Sequence, residues 1–376
     1  MIYLTFNYQR KQKLEQLDIF DYIYNNKQFK YQIGPNYSEF CTIKIDKINK
    51  TPKIDYYIQT LKRLKNYYTE DVMELLNEGL DKHYTTYKIP KRSGGFRTID
   101  APDNKLKTVL KNITNFLQYD CEIKTHNAAY AYVPKRCAKN SLERHRHNES
   151  KHFLHLDLKD FFGSCTEDFI HNQLKQIFPF SELYKDEESV EIVQTLVKLA
   201  LYKKRLPQGS PLSPLLTNII MIPIDYALYE ALKQHNKQHF VYTRYADDID
   251  ISSKYDFNYK EILKLIEETF QNTPLKINYQ KMHYTTTAHQ NWHLGLMLNQ
   301  HNQITLGYKK KKEIKTNLYT YCKTKETWSK SDAETFLGEL NYFIQIEPEY
   351  AQYLIDLYSK KYNNNIDILT ELKTIK

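Results

Sequence analysis

The sequence predicts an α+β fold with an antiparallel sheet at its centre and a small helical domain after it. Two observations carry this prediction. Helical and strand periodicities alternate irregularly, and the strands are joined as hairpins rather than as regular βαβ units. From Lys309 onward the pattern is helical throughout. Because 376 residues exceed what one core usually organises, we expect two or three subdomains.

The predicted elements follow in order along the chain. Residues 1–70 mix helix and loop, with a turn signal at Gly34-Pro35-Asn36. Helices are predicted at 71–82, 106–117, 189–203 and 257–270, with another between the 206–214 loop and Lys233. Hairpins or strands are predicted at 85–102, 152–162, 239–253, 275–285 and 292–306. The 85–102 hairpin turns at Gly94-Gly95, and the 239–253 hairpin turns at two acids.

The composition permits a nucleic-acid partner. Lys and Arg outnumber Asp and Glu by 54 to 45, which gives a net charge of +9. The chain has 33 Tyr against 17 Phe, and tyrosine rings suit surfaces that stack on bases. Low-GC codon usage is the competing explanation for most of that excess. Hydrophobic residues make up 41%, which excludes the disordered class.

Cysteine and apolar patterns favour a soluble protein of a reducing cytosol, with no membrane. The cysteines show no CxxC spacing and the histidines are scattered, so we expect neither a zinc site nor a disulfide framework. The N-terminus places its charges after a short apolar start, the reverse of a signal peptide. The most apolar stretch, 215–225, is too short to span a bilayer.

Asp247 and Asp248 lie side by side between two apolar strand halves. Adjacent acids at a β-turn repel each other unless a cation binds there. The alternative is a solvated hairpin tip, where Asp is common. The aromatic and apolar flanks shift the balance toward acids held on a buried sheet.

Asp157 lies in a strand that otherwise reads as core, where an unpaired carboxylate is costly. Metal ligation would offset that cost. Three acids from neighbouring strands suit a pair of Mg²⁺ ions, or Mn²⁺ in their place, that bridge substrate phosphates and activate a 3′-hydroxyl. Asp160 and Asp250 are interpreted as supporting or surface acids.

Four sequence boxes resemble those of reverse transcriptases. Tyr245-Ala246-Asp247-Asp248 resembles the YxDD box, and DLKDFF at 157–162 resembles the first catalytic-aspartate motif. LPQGSPLSPLLTNI at 206–219 is similar to the PQG…SPLLxN box, and IPKRSGGFRTI at 89–99 to the fingers motif. The boxes stand in the family's order over roughly residues 75–310.

The resemblance implies an RNA-directed DNA polymerase with a right-hand fold. Its divisions would be an N-terminal extension at 1–70, fingers at 71–155, a palm at 156–300 and a helical thumb at 301–376. The chain's GELNY string at 338–342 resembles the thumb of bacterial relatives.

The resemblance also implies residue roles. Asp157, Asp247 and Asp248 would hold the metals, and Lys91 and Arg97 would contact the triphosphate. A solvated basic hairpin is the alternative for this lysine and arginine. Phe162 would lie against C2′ of the incoming sugar and select dNTPs, with ordinary core packing as its alternative.

Further roles follow from the same boxes. Gln208 and Gly209 would lie along the nucleotide and the template base, where glycine permits close backbone approach. Lys281 resembles the lysine that protonates pyrophosphate. Leu294, Gly295 and Leu296 resemble the primer-grip hairpin.

The branch of the family is inferred by elimination. Retron enzymes carry NAxxH and VTG boxes, and the nearest strings here, NSLERH at 140–145 and HLG at 293–295, depart from both. No maturase, nuclease or RNase H-like region is recognisable. These observations favour a small stand-alone enzyme of phage defence, including the abortive-infection type.

A structured non-coding RNA is the expected partner, with dNTPs as substrates and DNA as product. The thumb opens with four lysines, Lys309, Lys310, Lys311 and Lys312, in a Tyr-rich region of the kind that contacts phosphates and unpaired bases. A solvated helix face is the alternative for this run. Two other functions stay open: a template-independent or protein-primed polymerase, and a catalytically silent RNA-binding scaffold. The sequence leaves the template, primer and oligomeric state undetermined.

Overall fold

The computed structural model describes residues 52–91, 94–235, 239–288, 293–362 and 367–374. The helix-and-loop prediction for the first 51 residues, including the turn at 34–36, lies outside these residues.

The described part alternates helices and short strands. The helices are α1 (Pro52–Lys62), α2 (Glu70–Glu78), α3 (Asn104–Asn115), α4 (Ala138–His147), α5 (Phe161–Ser164), α6 (Glu167–Leu174), α7 (Phe180–Leu183), α8 (Glu187–Ala200), α9 (Ser213–Ile220), α10 (Ile222–Lys233), α11 (Tyr259–Phe270), α12 (Gly307–Thr324), α13 (Lys330–Ile346), α14 (Pro348–Lys361) and α15 (Ile368–Thr374). The strands are β1 (Tyr84–Pro90), β2 (Phe96–Pro102), β3 (His152–Asp157), β4 (Val241–Tyr245), β5 (Asp248–Ser253), β6 (His283–Thr286), β7 (Met297–Leu298) and β8 (Ile304–Thr305). The mixture of helices and antiparallel sheets confirms the predicted α+β, right-hand polymerase fold.

Strands β1 and β2 form an exposed antiparallel ribbon, as predicted. Their pairing runs from Tyr84 opposite Pro102 to Pro90 opposite Phe96. The ribbon turns where the Lys91 N–H donates to the Gly95 carbonyl over 3.0 Å. Gly94 and Gly95 have φ of 89° and 75°, a conformation that glycine adopts without steric cost. The sequence therefore predicted both the strands and the reason for the turn.

The central sheet has the strand order β4-β5-β3-β6, with all neighbours antiparallel. Because side chains alternate along a strand, one face of β3 and β5 is apolar and the other polar. Leu154, Leu156, Ile249 and Ile251 are buried in a first hydrophobic core together with residues of helices α8 to α10. The opposite face carries the acids and histidines that matter for function.

A second hydrophobic core joins the C-terminal helices to the palm. It combines buried residues of α12 to α15 with Leu142 of α4 and Phe153 of β3. Leu296, Leu298 and Ile304, in and around the β7–β8 hairpin, complete it. The thumb thus packs on the polar face of the sheet. The sequence predicts that the fingers end at residue 155, which lies inside β3. The whole of β3 belongs to the central sheet.

Two elements differ from the predictions in extent. The helix expected up to Lys233 is divided into α9 and α10, which are bent by 42°. Pro223 lies in the first turn of α10, where a backbone N–H has no partner within the helix, so its absence costs nothing. In a continuous helix the same proline would remove one backbone hydrogen bond. The strand expected at 275–285 is reduced to β6, and Ile277 only forms an isolated bridge with Leu158.

Within the described residues no single helix has the length and apolarity of a membrane span. Only the bent pair α9 and α10 meets that criterion when both helices are counted together.

Candidate active site

The three predicted metal ligands meet at one edge of the central sheet. Asp157 ends β3 and lies directly opposite Asp248, which begins β5. The turn before Asp248 is tight, with Ala246 at φ 58°. The Leu158 N–H donates to the Asp247 carbonyl over 2.9 Å, which fixes the turn against β3. The backbone thus places Asp157 and Asp248 directly opposite each other, with Asp247 as the next residue in the turn.

This crowding changes the acidity of the pair in the turn. Burial first, and then the charges of Asp247, Asp250 and Asp157, raise the pKa of Asp248 to about 7. Burial, with a contribution from Asp157, also raises the pKa of Asp247. Mutually repelling oxygen ligands on rigid strands form a donor set that fits hard divalent cations.

Asp157 is held by two side chains from the segment after α11. The Lys281 Nζ donates to Asp157 Oδ2 over 2.7 Å, and Asn278 Nδ2 donates to Oδ1 over 2.9 Å. The hydrogen bond to Asp157 raises the pKa of Lys281, so the ammonium is retained beside the carboxylates. Sequence reasoning selected Lys281 but not Asn278, although the two are only three residues apart.

The carboxylates open into a cleft of about 1100 Å³ between the β1–β2 ribbon and the palm. Predicted nucleotide-binding and catalytic residues that line it are Lys91, Arg97, Asp157, Phe162, Gln208, Asp247 and Lys281. Asp248 and Gly209 stand next to lining residues without lining the cleft themselves. The fold thus gathers residues from four separate boxes around one space.

The two adjacent phenylalanines occupy different environments. Phe161 is 3% exposed and belongs to the first core. Phe162 is half-buried, packs against that core and lines the cleft. Their rings meet edge to face with centroids 5.8 Å apart. The chain turns sharply just before them, where Asp160 has φ 46°.

Gly209 allows the palm loop to touch the fingers ribbon. The Asp100 N–H donates to the Gln208 carbonyl over 2.9 Å. A Cβ on Gly209 would lie 2.6 Å from the Asp100 carbonyl oxygen, and the glycine has φ 143°. A side chain at this position would therefore push the loop away from β2.

A buried ion pair supports the catalytic turn from the apolar side of the sheet. Arg244 and Asp225 are both fully buried and bond in a bidentate manner, with Nε–Oδ1 at 2.8 Å and Nη2–Oδ2 at 2.7 Å. Arg244 Nη1 also donates to Asn218 Oδ1 over 3.2 Å and to the Ala246 carbonyl over 3.3 Å. Sequence reasoning missed this pair. An arginine inside an apolar strand was the available signal.

Asp250 lies on the polar face, between two histidines, and is 3% exposed. Of the two roles predicted for Asp250, its burial contradicts the surface one and leaves the supporting one as a prediction. Its two carboxylate oxygens each contact one imidazole Nδ1, from His155 of β3 and from His293. Burial alone would raise the pKa of Asp250, but the two imidazoles hold that pKa well below its usual range. His155, Asp250 and His293 each offer one atom that could bind a metal, and these three atoms lie within 4.8 Å of one another. The fold thus brings together histidines that are far apart in the sequence.

The predicted primer-grip residues form a two-residue turn. Leu294 and Gly295 have φ of 52° and 83°, the combination of a tight hairpin. The turn is closed by His293 N–H to Leu296 carbonyl at 2.7 Å and Leu296 N–H to His293 carbonyl at 2.9 Å. Leu296 is buried in the thumb core, whereas Gly295 is exposed.

The four thumb lysines are not equivalent. Lys310 pairs with Glu339 at 2.7 Å, and Lys311 pairs with Glu347 at 3.1 Å. Lys309 and Lys312 are exposed and have no ion pair within the described ranges. Half of the run therefore stabilises the thumb, and the other half projects into solvent.

Retron enzymes are among the proteins that this chain resembles. It is 29% identical over 287 residues to the retron Ec83 reverse transcriptase of Escherichia coli, covering 74% of this chain and 88% of that one. With the retron Ec73 reverse transcriptase of Escherichia coli it is 33% identical over 204 residues, covering 52% of this chain and 62% of that one. Retron relatives are thus found although the strings at 140–145 and 293–295 depart from the retron boxes.

Among solved structures, apo telomerase from Candida tropicalis matches with a TM-score of 0.46 and 14% identity, covering 78% of this chain and 62% of that one. The chain thus spans less than two thirds of that telomerase chain. The family model described as reverse transcriptase (RNA-dependent DNA polymerase) matches residues 89–326, more than half of the sequence. The chain belongs to the reverse transcriptase family, the RNA-directed DNA polymerases.

Proposed function

We propose that the enzyme adds dNTPs to a primer 3′-hydroxyl with two Mg²⁺ ions held by Asp157, Asp247 and Asp248. The observation that carries this proposal is the strand register that places Asp157 opposite Asp248 at the edge of the cleft. The charge crowding at Asp248 supports it, because a cation would relieve the repulsion. Mn²⁺ would satisfy the same oxygen ligands.

The remaining cleft residues have roles that follow from their positions. Lys91 and Arg97 come from the ribbon that covers the cleft and would bind the triphosphate, Arg97 through its planar fork. The ions, when bound, would neutralise phosphate charge and lower the pKa of the 3′-hydroxyl. Lys281 holds Asp157 through its ammonium and is placed to give a proton to the leaving pyrophosphate. Phe162 would form the floor under the sugar.

The metal assignment is tested by replacing each acid singly with alanine. Asp157→Ala, Asp247→Ala and Asp248→Ala should each abolish dNTP incorporation while RNA binding and the fold are retained. Asp256→Ala is the matched control, since Asp256 is an exposed acid outside the cleft. Near-normal incorporation by Asp247→Ala would show that the ligands are assigned wrongly.

We also propose that a structured non-coding RNA is a standing partner that supplies the template. The exposed Lys309 and Lys312, together with the largely exposed ring of Tyr308, form a basic and aromatic surface at the start of α12. The reverse transcriptase names of the relatives support an RNA template for this chain.

The lysine pairs allow a matched experiment. Replacing Lys309 and Lys312 by Gln should weaken RNA binding and reduce the slope of log K against log salt by about 2, since each phosphate contact contributes about 0.9. Replacing Lys310 and Lys311 by Gln should leave that slope unchanged and lower thumb stability instead. Protein from its native host that is free of defined RNA, yet fully active on arbitrary primer-templates, would contradict the proposed partner.

A cytoplasmic role in anti-phage defence completes the proposal. Cys121, Cys137 and Cys165 are free thiols, as suits a reducing compartment. Phage challenge of cells that carry the wild type or Asp247→Ala tests the role. Equal protection by both would exclude DNA synthesis as its basis.

A further inference from the structure

The turn formed by Leu294, Gly295 and Leu296 is tied to the catalytic strands through the side chain that precedes it. The backbone of His293 exchanges both hydrogen bonds with Leu296, so the imidazole belongs to the base of the turn. Its Nδ1 contacts one carboxylate oxygen of Asp250. His293 and Asp250 are both 3% exposed, so this contact is shielded from water.

Asp250 connects the turn to both strands that carry metal ligands. It follows Asp248 by two residues on β5, and therefore the two side chains lie on the same face. Its second oxygen contacts His155, which precedes Asp157 by two residues on β3. Two residues of strand span about 7 Å, so the base of the turn is anchored one short step from the carboxylates.

The turn has a different kind of attachment on its other side. Leu296 is fully buried in the second core and packs with the thumb helices. Within the described residues, neither Leu294 nor Gly295 hydrogen-bonds to the palm. Apolar packing thus joins the turn to the thumb, whereas the direct polar connection to the catalytic strands passes through His293.

We infer that the His293–Asp250 contact positions this turn, and with it the primer 3′ end, relative to the metal-binding carboxylates. The inference rests on the proposed polymerase function and on the primer-grip role that the family resemblance implies for Leu294, Gly295 and Leu296. A buried imidazole–carboxylate contact defines a distance more narrowly than apolar packing, which tolerates sliding. His293 is accordingly a positioning residue, and it does not touch the reacting atoms.

The same three side chains could instead hold a transition-metal ion, because His and carboxylate groups in close proximity suit zinc. The geometry favours the direct contact. Each Nδ1 directly contacts a different oxygen of the carboxylate, so neither imidazole is separated from Asp250 by the space that an ion would need. The metal alternative is an outcome of the experiment below.

The test compares His293→Ala and His293→Gln with the wild type in primer extension. Loss of the contact should reduce kcat/KM for the primer-template about 10- to 100-fold, since a displacement near 1 Å has effects of that size. The KM for dNTP should stay unchanged, because the predicted nucleotide contacts line the cleft and His293 does not. His293→Gln keeps a donor toward Asp250 and should recover part of the activity.

Controls separate positioning from stability. His171→Gln removes a half-buried histidine that bonds Tyr184 outside the cleft, and it should leave both KM values unchanged. Combining His293→Ala with Asp250→Asn should cost no more primer-template efficiency than the larger single effect, because both changes remove the same contact. Independent, additive effects would overturn the inference. If His293→Ala does not fold, His293→Leu, which fills a similar volume without a donor, replaces it in this cycle.

The outcomes are distinguishable from failure of the proposed function. Inactive Asp157, Asp247 and Asp248 variants beside a His293→Ala enzyme that uses primers like the wild type would refute the positioning role alone. Active aspartate variants would refute the metal assignment instead. One equivalent of zinc in the purified wild type that is lost in His293→Gln would identify a metal centre and also overturn the inference.

Discussion

The Asp248 carboxylate should destabilise the folded enzyme whenever no cation is bound. Its pKa rises from 3.8 to about 7, mainly through burial and then through the charge of Asp247. Within the described residues it has no hydrogen bond or ion pair that would offset this cost. At 1.36 kcal/mol for each tenfold change in acidity, the rise corresponds to about 4 kcal/mol. Since the side chain is partly exposed, screening by solvent reduces this to about 2 kcal/mol.

The sign follows from proton linkage. Below pH 3.8 the acid is neutral in both the folded and the unfolded state, and the cost is absent. As the pH rises toward 7, the unfolded state ionises first, so the folded state loses stability progressively. Above about pH 7 the full cost applies. Asp248→Asn should therefore raise the free energy of unfolding by about 2 kcal/mol at such pH in EDTA.

Urea denaturation measures this effect, with and without Mg²⁺. The wild type should gain stability from Mg²⁺, and Asp248→Asn should gain much less, because its ligand set is incomplete. Asp256→Asn serves as the control and should not be stabilised, since Asp256 is hydrogen-bonded by Tyr284 at 2.6 Å. An Asp248→Asn protein no more stable than the wild type in EDTA above pH 7 would refute the reasoning.

Three further predictions follow from buried groups. Phe162→Ala should admit ribonucleotides, which the kinetics of dCTP against CTP incorporation would measure. Phe161→Ala should instead lower the free energy of unfolding by about 3–5 kcal/mol. If only Phe161→Ala relaxes discrimination between the two nucleotides, Phe161 and not Phe162 contacts the sugar. Arg244→Met leaves the Asp225 charge buried without its partner and should cost about 3–5 kcal/mol in urea denaturation, so a loss below about 1 kcal/mol would contradict it. Burial lowers the pKa of His126 from 6.5 to about 4, so the unfolded state binds the proton first. Stability should therefore fall as the pH drops from 6.5 toward 4, by up to about 3 kcal/mol, and His126→Gln should flatten that dependence.

The sequence alone determined the catalytic edge of the sheet. Asp157, Asp247 and Asp248 were predictable because each stands at the end of an apolar strand, and strand periodicity is a local property. The fingers ribbon was predictable for the same reason, since Gly94-Gly95 specifies the turn between two alternating segments. The boxes then indicated that these elements share one site.

Only the tertiary structure decided which polar groups are partners. His155 and Asp250 are 95 positions apart, and no periodicity connects them or either of them to His293. No periodicity connects Arg244 with Asp225 either. Lys310 belongs to a run of four lysines that the sequence suggests is solvated, but in the structure it pairs with Glu339. Local patterns report whether a residue faces the interior. The partner of a buried charge depends on which strands and helices come together, because its stabilisation is a contact energy between distant segments.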